Sequence, residues 1–290
     1  MLKKLFIHEW RSFWKLPAFM CLFALVYALI GALTFQTELW NTENPVIQFF
    51  LVFGSIGYFI VLIAPAIVLL IYTALRFYRN FYTDEGYLMH TLPVKKWQLI
   101  TAKGLVAVIW QFITILATCL AVILVVLLIS ISSEYGGITW KDFSEGFSLF
   151  CQEAVPLIKE MFAMPFALVV LLFLGNSIVS SFYSILMVYA AVSIGHLWKK
   201  HPMAGTVFSY IGFYVAASLI SGAFSADSLS KFMGDSFFIA SYESETTAIY
   251  NSMGEYFLQI LGNSYLVSAI GIRIFYAITE WIMSHKLNLD

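Results

Sequence analysis

The chain has 290 residues, of which 61% are hydrophobic and 11% charged, and its formal net charge is −1. Mean hydropathy is +0.85, whereas a soluble domain carries roughly 25% charged residues and hides its apolar surface in one core. These values exclude a soluble globular domain, and the near-neutral charge excludes a broadly basic nucleic-acid surface.

Residues 1–16 have helical periodicity. Lys4, His8, Arg11 and Lys15 recur on one face, while Leu2, Phe6, Trp10, Phe13 and Trp14 cover much of the other. The pattern predicts a helix lying in the membrane interface, with its cations toward anionic headgroups. This long aromatic stretch does not fit the short basic start of a cleaved secretory signal. Pro17 is expected to turn the chain into a first span.

Crossing a hydrocarbon core of ~30 Å takes about 20 apolar residues. Six runs qualify: about 18–36, 50–75, 105–131, 162–195, 204–225 and 257–283. The chain is thus expected to be all-α, a single polytopic transmembrane domain with six transmembrane helices and an N-terminal interfacial helix. Pro65 is expected to kink the second span. The fourth run is long for one crossing, and the sixth contains Arg273 and Glu280.

Orientation follows from the Lys and Arg count. With the N-terminus inside, segments 1–17, 76–104, 196–203 and 284–290 hold twelve of the sixteen basic residues, and the opposite segments hold only Lys141, Lys159 and Lys231. The positive-inside rule therefore places both termini in the cytoplasm. Two extracytoplasmic segments, about 132–161 and 226–256, are too long for tight turns. A partly amphipathic stretch from Phe143 to Phe162 marks the first, and either segment is open between a surface helix and a re-entrant piece.

No catalytic set emerges. There is no GxxxxGK[ST] loop to cradle a nucleotide, no HExxH, and no paired Cys/His spacing for a metal, so no cofactor is expected. Cys21 and Cys119 fall inside apolar runs and Cys151 has no partner on its side, which reads as three structural thiols. The five histidines, His8, His90, His196, His201 and His285, are too scattered to suggest a site.

The loop from Arg76 to Gly104 is different. Its charges, Arg76, Arg79, Asp84, Glu85, Lys95, Lys96 and Lys103, are interleaved with Phe77, Tyr78, Phe81, Tyr82, Tyr87, Leu88, Met89 and Leu92. A merely solvated connector does not need so many large apolar groups. Thr83 with Asp84 can cap a short helix, and Pro93 can open the next one. The result is a short amphipathic element at the cytoplasmic face, tied to two spans and suited to a partner's grip.

The run Thr83-Asp84-Glu85-Gly86-Tyr87-Leu88, then Thr91-Leu92-Pro93-Val94 and Lys103, resembles the intracellular loop of type-2 ABC exporter permeases of Gram-positive bacteria. Gly195-His196-Leu197 with Lys199 and Lys200, and the Lys286-Leu287-Asn288-Leu289 tail, extend the likeness, which covers the chain by layout and about 25 residues by motif. Arg273 departs from the family's pattern. The resemblance implies a permease subunit of the cell membrane that is not itself an enzyme. It would pair with a second permease chain, identical or related, and dock an ABC ATPase subunit through a coupling helix formed around Asp84, Glu85, Gly86, Tyr87, Leu88, Leu92 and Pro93.

Within the spans, Arg273, Glu280, Asn176 and Ser180 are the candidates for a pathway or subunit interface. An Arg about 15 Å deep is expected to face the bundle interior or a cavity, the alternative being a misplaced span boundary with Arg273 snorkelling toward an end. Asn176, Ser180 and Ser184 recur on one face of the fourth span, and Ser209, Gly212 and Ala216 mark the fifth, a pattern that also serves close helix packing. Two other classes compete with the exporter. An ion-coupled secondary transporter or channel would favour charges in several spans, yet five spans have none. A membrane scaffold or sensor would use the cytoplasmic loop for docking alone.

Overall fold

The computed structural model describes residues 2–34, 44–83, 96–135, 140–198, 200–242 and 246–285, and these are helical almost throughout, with no strand among them. The helices are α1 (Leu2–Phe13), α2 (Lys15–Thr34), α3 (Pro45–Tyr82), α4 (Lys96–Tyr135), α5 (Trp140–Phe162), α6 (Phe166–His196), α7 (Pro202–Tyr242) and α8 (Thr246–His285). Five of them, α3, α4, α6, α7 and α8, are long and apolar enough to cross a membrane. A sixth crossing results if α1 and α2, bent by 49° at their junction, form one broken span.

Several boundaries differ from those the apolar runs suggest. The bend after α1 falls at Trp14, and Pro17 sits inside the first turn of α2. A missing N–H is harmless there, because the first N–H groups of a helix have no intrahelical acceptor. α3 runs without interruption through Pro65. The fourth apolar run, about 162–195, is one helix that begins four residues later: Phe162 ends α5, Ala163 takes a left-handed φ of 50°, and Pro165 stands at the N-cap of α6. Hydropathy does not register this break; proline chemistry does. The first extracytoplasmic candidate is largely the helix α5, and most of the second continues α7 and opens α8.

The chain divides into two compact units. One comprises Arg11–Leu69 and Ile109–Pro156. Its core joins Ala28 of α2, Tyr58 of α3, and Ala121 and Val125 of α4. Ala24, Ala28 and Gly31 form a buried small-residue face on α2. A Cβ on Gly31 would stand 2.5 Å from the Tyr58 ring, so glycine is what lets that ring lie against the helix.

The other unit comprises Met1–Trp10, Leu70–Val108 and Leu157–Asp290. Here α6, α7 and α8 pack pairwise on one another. Gly195 and Gly205 make the α6–α7 turn possible: a Cβ on Gly195 would meet the Thr206 backbone nitrogen at 2.3 Å. Gly254 of α8 lies against the Met161 carbonyl at the end of α5. Of the small residues of the fifth span, Ser209 is half-buried and Gly212 and Ala216 are exposed, and among the described residues no atom comes within 4 Å of a Cβ built on Gly212.

Candidate functional site

The most concentrated chemistry among the described residues lies where α1 meets the C-terminal end of α3 and the N-terminal end of α4. Lys15 is exposed at the start of α2, and Lys4, His8 and Arg11 are exposed along α1. On its opposite side, among apolar neighbours, sits Glu9, only 5% exposed. Arg76 of α3 donates to Glu9 Oε2 at 2.8 Å, and Lys103 of α4 donates to Glu9 Oε1. Arg76 also donates to the Tyr72 hydroxyl at 3.2 Å, and the Lys103 ammonium stands 5.5 Å from the centre of the Phe81 ring. Burial alone would raise the Glu9 carboxyl's pKa, but the two cations overcome it and hold the group below the usual carboxylate range. One carboxylate thereby clamps two helices that the chain connects only through residues 83–95.

Next to this clamp, the last turns of α3 dock on the last turns of α6. Phe77 stacks on Tyr189 with ring centres 3.9 Å apart, and both rings are buried. The Tyr82 hydroxyl donates to Ser193 Oγ at 2.8 Å, while its ring lies 4.4 Å from that of His196. Ser193 in turn donates to the Tyr189 carbonyl, so the polar atoms buried here form a short chain of bonds. His196 thus belongs to the seat of α3, while Gly195 serves the α6–α7 turn. The Thr83 hydroxyl donates to the Arg79 carbonyl at the end of α3.

The other end of the segment is also tied down. Lys96, the first residue of α4, donates to the Met283 carbonyl of α8 at 2.6 Å. Asp84, Glu85, Gly86, Tyr87, Leu88, Leu92 and Pro93 lie outside the described residues, so the expected coupling helix does too. The segment that contains them is short: α3 extends to Tyr82 and α4 begins at Lys96, taking both ends of the 76–104 stretch into helix.

The intramembrane candidates are not brought together. Ser180 borders a cavity between α6, α7 and α8. Asn176 does not, and its Oδ1 is buried with no hydrogen-bond partner among the described residues. Arg273 is exposed on α8 and Glu280 is half-buried, and the two form no ion pair among the described residues. Among the described residues Arg273 does not border the cavity between α6, α7 and α8. Its side chain lies on the outer face of α8 beside exposed Ile270 and Ile274.

Sequence reasoning missed Glu9. The signal was present: it is the only acidic residue among the first 37, and it falls on the apolar side of a basic amphipathic helix. A carboxylate placed there requires buried cations. Among the described residues no group of three or more His, Cys, Asp or Glu side chains is placed to hold a metal. Compared with protein-family models, with curated proteins and with solved structures, the chain matches none.

Proposed function

We propose that this chain is the membrane-spanning permease subunit of an ABC exporter, coupled through residues 84–95 to an ATPase on a separate chain. The observation that carries the reading is how this segment is seated. Tyr82 is bonded to Ser193 just before it, Lys96 is bonded to Met283 just after it, and Glu9 clamps Arg76 and Lys103 on either side. A segment held this way passes a push from a bound partner directly into α3, α4, α6 and α8. A solvated connector has no need of three such anchors, two of them buried. The Thr83-to-Leu88 and Thr91-to-Val94 motifs support the same reading by resemblance.

In this account the basic face of α1 lies on cytoplasmic headgroups of the cell membrane, with both termini and the loop on that side. ATP hydrolysis belongs to the partner, and this chain supplies the pathway. A second permease chain completes it, and exposed Arg273 at mid-membrane supports such a neighbour, since lipid alone would leave its charge costly. The test is co-purification of the tagged chain from its own membranes. A stoichiometric ATPase is expected, lost or strongly reduced in Asp84→Lys, Glu85→Lys and Leu88→Asp. Recovery of the chain without any ATPase, or unchanged recovery in all three variants, refutes the proposal.

A further inference from the structure

Between α6, α7 and α8 lies a cavity of about 510 Å³, bounded by residues in the middle of helices apolar enough to cross a membrane. Seven serines, three tyrosines and one asparagine line it, with no charged side chain. Serines alone would mean little, because a helical serine satisfies its proton on its own backbone. Ser184, Ser218 and Ser225 do so here, bonding the carbonyls of Ser181, Val215 and Ser221, and present their lone pairs to the space.

Tyrosine has no such option, since its hydroxyl stands too far from its own helix backbone. Tyr183, Tyr210 and Tyr214 all line the cavity, the first two half-buried and Tyr214 60% exposed, and among the described residues none of their hydroxyls takes part in a hydrogen bond. Ser268, 6% exposed, borders the same space, and its hydroxyl takes part in no hydrogen bond among the described residues. Hydrocarbon satisfies none of these groups, so lipid tails are the wrong filling.

The lining also restricts what fits. It mixes donors, the phenols, with acceptors, the back-bonded serines, and it carries no charge; the Asn263 amide nitrogen already donates to the Phe224 carbonyl and to Ser228 at 3.5 Å, which leaves its oxygen as the polar atom for a ligand. An ammonium only donates, and a carboxylate or phosphate only accepts; each would bring an uncompensated charge into the bilayer. A hydroxyl group both donates and accepts without charge. The volume falls within the range of small-molecule sites, and Met187, Ile260 and Val267 add an apolar wall.

We propose that this cavity binds the uncharged, polyhydroxylated head of an amphiphile, a glycoside or polyol, through Tyr210, Tyr214, Ser268 and Asn263. Binding stands independently of any ATPase; that the ligand is cargo rests on the exporter reading. The test uses the full chain in phosphatidylcholine nanodiscs with no ATPase present. The probe is a diazirine-bearing octyl glucoside, competed by plain octyl glucoside or by octyl tetraethylene glycol, whose ether head has many acceptors and almost no donors. Saturable labelling is expected on peptides within 204–225 and 257–270, competed by the glucoside and not by the ether. Apparent affinity should fall about fivefold in Tyr210→Phe and again in Tyr214→Phe, which keep the ring and lose one hydroxyl each. Labelling that does not saturate, that both competitors displace equally, or that is absent because a second copy seals the space overturns the proposal. So does unchanged affinity in both variants. If either variant fails to fold, the competition on the unmodified chain decides. Failure here leaves ATPase docking untouched, and loss of the ATPase reading leaves this result standing.

Discussion

Replacing Glu9 by glutamine removes one charge and almost no volume. In the structure that carboxylate is 7% exposed at its side chain and faces Arg76 at 2.8 Å and Lys103 on its other oxygen. With charge centres about 4 Å apart and an effective dielectric of about 20, each pair contributes roughly 4 kcal/mol before desolvation is subtracted. Glutamine leaves two cations close together in a site without an anion. Breaking a buried ion pair from one side costs about 3–5 kcal/mol, which lowers the midpoint of thermal unfolding by ~10 °C for a chain of this size. The assay is loss of monodisperse protein after heating in detergent, followed by size-exclusion chromatography. The double variant Glu9→Gln, Lys103→Met should recover part of the loss, since one stranded cation is gone, and the cycle should be strongly non-additive. A midpoint within 1–2 °C of the unmodified chain for Glu9→Gln, or strictly additive effects, refutes the clamp.

Other outcomes follow from the same geometry. The Glu9 carboxyl is held below its ordinary range, so its contribution is fully present above the unfolded carboxylate value and is lost as pH falls through the folded one. Unfolding midpoints measured from pH 7 down to strongly acid conditions should therefore drop on the acid side, and that drop should be shallower in Glu9→Gln. Tyr82→Phe deletes the buried bond to Ser193 and should cost about 1 kcal/mol by the same heating assay. Gly254→Ala sets a Cβ 1.6 Å from the Met161 carbonyl and should cost about 1–3 kcal/mol or prevent folding, whereas Gly212→Ala, with nothing within 4 Å, should be neutral or slightly stabilising. Equal behaviour of the two glycine variants would refute the close approach of α5 and α8.

The membrane-crossing helices were legible because twenty-odd apolar residues leave the chain few alternatives. Their ends were not, because helix continues where hydropathy stops: α3 runs past Arg76 and Arg79 to Tyr82, and α4 already begins at Lys96. The opposite failure occurred at Ala163, where apolar composition continued and the helix did not. There the Met164-Pro165 dipeptide was the better guide. Both cations of the clamp were visible as members of the loop, yet their partner lies 67 and 94 residues away, and only tertiary packing selects it. Ser180 and Ser184 could be read on one face of α6. The tyrosines that give the cavity its unanswered hydroxyls come from α6 and α7, with Ser268 from α8, and no local pattern announces that meeting.

The central claim is that the segment between α3 and α4 grips a separate ATPase. The most direct test replaces residues 84–92 with a Gly/Ser segment of equal length, leaving Tyr82, Lys96 and the Glu9 clamp in place, and measures ATP hydrolysis retained on the purified chain. The account predicts activity on the unmodified chain and none above background on the variant, with both chains equally monodisperse. Undiminished hydrolysis on the variant would contradict it.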